Sequence, residues 1–183
     1  MKDLLIRPER CMACRSCEIA CAVAHSQSKN LFSALGEQPA PKTRINVTCS
    51  PNLEILIPVT CRHCEDTPCA SVCPQKAITR DETSSFVNFS PELCINCWSC
   101  SMVCPRFLPL YQLILVLGCW TTSMTANREV INRQTGAGVK CNLCEGREIP
   151  ACIEACPTQA LILYEIDQVP GIKRTKTTPE FTG

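Results

Sequence analysis

Residues 94–105 read C-I-N-C-W-S-C-S-M-V-C-P. Cys94, Cys97 and Cys100 stand at C-x-x-C-x-x-C spacing, and Cys104 follows after three more residues with Pro105 behind it. This is the spacing of a [4Fe–4S] run, in which the first three thiolates hold one cubane and the fourth reaches a second. Geometry explains the pattern: a tight loop of three thiolates wraps three irons, while a cysteine four residues further on points the other way. One such run therefore predicts a partner.

The chain supplies three more groups: Cys11, Cys14, Cys17 and Cys21; Cys61, Cys64, Cys69 and Cys73 followed by Pro74; and Cys141, Cys144, Cys152 and Cys156 followed by Pro157. Sixteen of the eighteen cysteines thus fall into four groups of four, the ligand count of four cubanes. Cys49 stands outside every group, at the end of a strand-like stretch, and is read as a small buried hydrophobe.

Two other chemistries use cysteine this densely. Eighteen cysteines in 183 residues approach the density of a secreted disulfide scaffold. The N-terminus M-K-D-L-L-I-R has no apolar segment or cleavage site, so a cytoplasmic chain with reduced thiols is expected instead. Zinc is the second alternative, since C-x-x-C pairs also build zinc ribbons and knuckles. A tetrahedral ion wants two separated pairs, and the three-cysteine loops at residues 11–17 and 94–100 leave a third thiolate that it could not share. The formal charge is +1, which gives no reason to expect nucleic acid. Each bound, oxidised cluster with its thiolates adds about two negative charges, so backbone amides must point at the sulfurs.

Along the chain, Leu4, Leu5 and Ile6 before Pro8 predict a strand leading into the first cysteine loop. Residues 18–25 predict a helix that runs past Cys21, because Ala22 stands where the other groups have proline. His25 then falls four residues after Cys21, on its face, within reach of a cluster sulfur or a nearby carbonyl; the alternative is a half-buried packing histidine. Residues 26–42 read as connection. Residues 44–49 and 54–59 suggest a hairpin around Ser50, Pro51 and Asn52. His63, inside the second group, reads as an exposed loop histidine, the alternative being a residue that tunes the potential of a nearby cluster. A compact hairpin is expected from residues 77–80 and 86–89, and a strand from residues 160–166. Residues 107–127 carry no charge until Arg128, and residues 110–120 are the most apolar run in the chain. The run is too short to span a bilayer and reads as a packed or partner-covered element; the alternatives are a membrane contact and a shifted reading frame in the source gene.

Four cysteine groups in this order, with the second and fourth widened, resemble the four-cluster electron-transfer subunits of the dimethyl sulfoxide reductase beta-subunit type. The resemblance covers residues 1 to about 166 and extends to iron–sulfur subunits of formate hydrogenlyase, formate dehydrogenases and carbon monoxide dehydrogenase. Residues 17–32, C-E-I-A-C-A-V-A-H-S-Q-S-K-N-L-F, are most similar to the small soluble members. The family usually follows its third group with a glycine-containing turn and a short strand, which residues 105–127 do not match.

The resemblance implies an α+β fold of two bacterial two-cluster ferredoxin-like modules, with small sheets and short helices around the clusters. The outer module takes residues 1–60 and 128–166, the inner one residues 61–105; residues 106–127 connect them and residues 167–183 form a polar tail. It also implies the wiring. One cluster is held by Cys11, Cys14, Cys17 and Cys156, and the next by Cys141, Cys144, Cys152 and Cys21. In the inner module, Cys61, Cys64 and Cys69 pair with Cys104, and Cys94, Cys97 and Cys100 with Cys73. Linker length agrees with this nesting: twenty residues separate the second and third groups, against thirty-nine and thirty-six for the other intervals.

The implied function is an electron relay through four [4Fe–4S] clusters, not catalysis. Its partners would be a catalytic redox subunit (a molybdenum or tungsten formate dehydrogenase, a hydrogenase or carbon monoxide dehydrogenase) and other iron–sulfur subunits, with membrane contact only through a partner. Nothing in the chain resembles a P-loop, a G-x-G-x-x-G turn or a cysteine–histidine catalytic pair. The rival readings are a free diffusible polyferredoxin and a zinc-binding adaptor.

Overall fold

The computed structural model describes residues 2–49, 56–83, 85–105 and 139–165. Among these residues six short strands form three two-stranded antiparallel sheets, accompanied by five helices. In chain order the strands are β1 (Lys2–Ile6), β2 (Ile45–Cys49), β3 (Leu56–Thr60), β4 (Ile78–Arg80), β5 (Val87–Phe89) and β6 (Leu161–Glu165). The helices are α1 (Ser16–Ala24), α2 (Leu31–Ala34), α3 (Pro68–Ser71), α4 (Ser99–Met102) and α5 (Ala151–Glu154). The mixed α and β content agrees with the class expected from the sequence.

Proline sets the helix lengths. α3, α4 and α5 are four residues each, and each stops before a Cys-Pro pair, where proline disfavours helical backbone in the residue ahead of it. Ala22 imposes no such limit, and α1 runs nine residues, through Cys21. Cys17 and Cys21, one turn apart, are both buried, while Ile19 on the other side of the helix is exposed.

One local arrangement occurs twice. β4 and β5 pair with Ile78 opposite Phe89, and the chain then passes through a 3-10 turn, Pro91–Leu93, into the loop of the third group and α4. β6 and β1 pair with Leu161 opposite Ile6, and a matching 3-10 turn, Pro8–Arg10, leads into the loop of the first group and α1. Single hydrogen bonds repeat too: Ser90 N–H donates to the Ala77 carbonyl oxygen at 2.9 Å, and Arg7 N–H to that of Ala160 at 2.8 Å. The difference lies in connectivity. β4 and β5 are neighbours in sequence, whereas β1 and β6 come from opposite ends of the described chain.

Leu4, Cys17, Cys21, Ile45, Val47, Cys152 and Leu161 form the main apolar cluster. It joins β1, β6, α1, α5 and the β2–β3 hairpin. Two polar ties hold that hairpin to α1: Val47 N–H donates to the Glu18 carboxylate, and Arg44 N–H to Cys21 Sγ at 3.2 Å. The connection expected at residues 26–42 contains α2, capped by Asn30 Oδ1, which accepts from the N–H groups of Phe32 and Ser33. One helical turn is too short to show a period, and only the Asn30 cap marks it. Among the described residues no helix is long and apolar enough to cross a membrane. The apolar run at residues 110–120, Cys119 and the polar tail lie outside the described residues, as does the side chain of Cys49.

Candidate iron–sulfur centres

All sixteen grouped cysteines are free thiols in the described residues. Cys11, Cys14, Cys17 and Cys156 line one cavity, walled by Val47, Pro58 and Leu161. A second cavity is lined by Cys73, Cys94, Cys97 and Cys100, with Ile78, Phe89, Ile95 and Trp98 around them. In both, a three-cysteine loop meets a cysteine from a Cys-Pro turn elsewhere in the chain. The other eight thiols also gather. Cys152 lies within electrostatic reach of Cys21, Cys141 and Cys144, and Cys69 within reach of Cys61, Cys104 and Cys64. Among the described residues no three of His, Cys, Asp or Glu converge as ligands of a single ion. The eight thiols of the two cavities surround spaces instead, as a cubane with one iron behind each thiolate requires.

The backbone around the thiols fits an anionic group. In the first loop Ala13 and Arg15 take positive φ, 57° and 59°; in the third, Asn96 and Trp98 do the same at 59° and 64°. Left-handed residues set between right-handed ones turn successive N–H groups to one side, which makes an anion-binding nest. Three of these four are neither glycine nor asparagine, so each costs strain that only a demanding ligand or tight packing offsets. Trp98 is the N-cap of α4 and stands between Cys97 and Cys100, replacing neither. The Cys-Pro turns add direct donors: Ala77 N–H reaches Cys73 Sγ at 3.3 Å, and Ala160 N–H reaches Cys156 Sγ at 3.2 Å. Leu143 N–H does the same for Cys141 Sγ at 3.4 Å.

Exposure differs sharply among the thiols. Cys14 and Cys97 are exposed, whereas Cys17, Cys21, Cys144 and Cys152 are buried. Hydrogen bonds from Ser16 and from Ser99 pull the pKa of Cys14 and of Cys97 down, the same C-x-S-C device in both loops. Burial pushes Cys17 up to about 12 and raises Cys152 as well. Buried thiols of this kind stay neutral until a metal displaces the proton.

The two histidines divide. His25 bonds a carbonyl: its Nδ1 donates to the Cys21 oxygen at 2.7 Å, and its Nε2 pairs with Asn142 Oδ1 at 3.1 Å, tying α1 to the loop of the fourth group. His63 corrects the expectation of an exposed loop residue, for it is only 1 % exposed. Its Nδ1 accepts from Val87 N–H at 2.9 Å, and its ring meets Phe86 edge-on with centroids 4.9 Å apart. Loop position suggested solvent; the contact with β5, twenty-four residues away, decided otherwise. His63→Phe is expected to strand the buried Val87 amide and cost about 1–3 kcal/mol, read as an earlier unfolding midpoint, with His63→Gln recovering part of the loss. Sequence reasoning also passed over Lys140, whose Nζ lies 3.7 Å from Cys69 Sγ; a basic residue directly before Cys141 was the available signal.

Residues 53–113 match the family model described as a 4Fe-4S dicluster domain, which takes in the second and third groups. Over 186 residues the chain is 37% identical to the electron transport protein HydN of Escherichia coli, covering 94% of each chain. It belongs to this family of iron–sulfur electron-transfer proteins. The putative electron transport protein YsaA of Escherichia coli is 35% identical over 87% of each chain. The thiosulfate reductase electron transfer subunit PhsB of Salmonella typhi is 30% identical over 87% of this chain and 73% of its own. The protein is therefore a ferredoxin-like [4Fe–4S] protein of electron transport, a carrier and not itself a catalyst.

Proposed function

We propose that the chain holds four [4Fe–4S] clusters in two nested two-cluster modules and relays single electrons between a catalytic redox subunit and an acceptor. Cys11, Cys14, Cys17 and Cys156 hold one cluster, and Cys141, Cys144, Cys152 and Cys21 the next. Cys61, Cys64, Cys69 and Cys104 hold the third, and Cys94, Cys97, Cys100 and Cys73 the fourth. The reading rests above all on Cys156, which shares a cavity with the first group rather than with its own. The mirrored sharing of Cys73 with the third group supports it.

Each cluster supplies reversible one-electron chemistry when bound. The chain's own residues hold it, shield it and order the sites. Backbone N–H groups at Ala77, Ala160 and Leu143 offset the charge on the thiolates. Val47, Pro58 and Leu161 at one cavity, and Ile78 and Phe89 at the other, keep water from the sulfurs. Electrostatic reach between Cys152 and Cys17, and between Cys141 and Cys61, supports a linear order of sites from the first group through the fourth and second to the third. The exposed Cys14 and Cys97 then stand at the two ends, where partners would dock. A catalytic oxidoreductase such as a formate dehydrogenase, a hydrogenase or carbon monoxide dehydrogenase suits that role, and a relative named as the electron transfer subunit of a thiosulfate reductase favours the same kind of arrangement. A cytoplasmic location goes with this reading.

Reconstituted protein should hold about sixteen irons and sixteen acid-labile sulfides; a value near eight sinks the four-cluster reading. Cys156→Ser should then shift the potential or remove an iron at a single centre, the one also disturbed by Cys14→Ser. If paramagnetic spectra place its effect on the centre disturbed by Cys97→Ser, the wiring is sequential and the nested assignment fails.

A further inference from the structure

Lys140 stands next to Cys141 in sequence, yet its ammonium lies against the second group, with Nζ 3.7 Å from Cys69 Sγ. The side chain is half-buried. Its charge also reaches Cys100 of the third group. A second cation touches the same group differently: Arg80 Nη1 donates to the Cys64 carbonyl oxygen at 2.7 Å, not to a sulfur.

A centre that gains an electron gains negative charge, so a fixed positive charge nearby stabilises the reduced form more than the oxidised one. Near a protein surface, a unit charge about 4 Å from the sulfur is still worth more than a factor of ten in the reduction equilibrium. We propose that Lys140 is a potential-setting residue, whose ammonium raises the reduction potential of the centre held by Cys61, Cys64, Cys69 and Cys104. The inference deepens the relay reading and rests on its ligand assignment. Lys140 works through the Cys69 thiolate and through space; it is a positioning residue, not a ligand. Because it is joined covalently to Cys141, it sets a standing charge where the second and fourth groups approach each other.

The test uses the full, cluster-loaded chain with Lys140→Met, which keeps length and removes charge, and Lys140→Arg, which keeps charge. Potentials are read by redox titration followed by paramagnetic resonance. Lys140→Met should make one centre at least tenfold harder to reduce, a fall of about 59 mV or more for a one-electron couple, with Lys140→Arg close to the parent. The centre that moves should be the one that Cys69→Ser disturbs. The proposal is overturned if no centre moves, if both variants shift alike, or if the shift falls on another centre. Loss of iron from Lys140→Met alone would still support a charge requirement, whereas equal loss from both variants would reduce Lys140 to a packing residue and overturn it. The iron count of the parent protein separately checks the four-cluster assignment, so the two failures are distinguishable.

Discussion

Chelating the iron out of the purified protein is expected to abolish its fold. Three of the seven residues in the main apolar cluster are cysteines, Cys17, Cys21 and Cys152. Without metal they contribute small side chains around spaces left for something larger. The remaining elements are weak alone. Among the described residues every sheet has two strands, and an isolated two-stranded pair is marginal in water. The longest helix among the described residues has nine residues, below the roughly 12–15 that an isolated helix needs. In such modules the free energy of metal binding is the free energy of folding. Iron-free, reduced protein should therefore show no cooperative thermal transition by circular dichroism, and iron with sulfide should restore one. A sharp transition in the iron-free chain would show that the apolar cluster suffices by itself.

Leu161→Ala should produce the largest loss among single substitutions that spare every thiol. Leu161 is 2 % exposed, pairs with Ile6 across β6 and β1, and walls the cavity of Cys11, Cys14, Cys17 and Cys156. Truncating a leucine in such a place costs about 2–5 kcal/mol, which in a chain of this size lowers the unfolding midpoint by roughly 5–15 °C. The same change admits water to the cavity, so the cluster colour should also bleach faster in air. Leu35, 80 % exposed, serves as the control, and Leu35→Ala should stay within about 0.5 kcal/mol of the parent. Equal midpoints for the two variants would mean that β6 contributes little to holding the ends of the chain together.

Local chemistry was legible from the residues alone wherever one short stretch contained all of it. The three-cysteine loops, the helix freed by Ala22, the hairpin of β4 and β5 and the strand at Leu161–Glu165 each follow from spacing, proline placement or alternation within a dozen residues. The cofactor followed as well, since a run of thiolates at that spacing suits few groups other than a cubane. What depended on distant contacts was not legible in the same way. His63 looks like a loop residue until β5 closes over it, and Lys140 looks like a solvated flank of the fourth group until its ammonium meets Cys69. The meeting of Cys156 with Cys11, Cys14 and Cys17 was expected through family resemblance, but no property of residues 141–157 requires it. Tertiary structure decides it by pairing β1 with β6, because two-residue periodicity tells a strand which face to bury and leaves open which distant strand will share its edge.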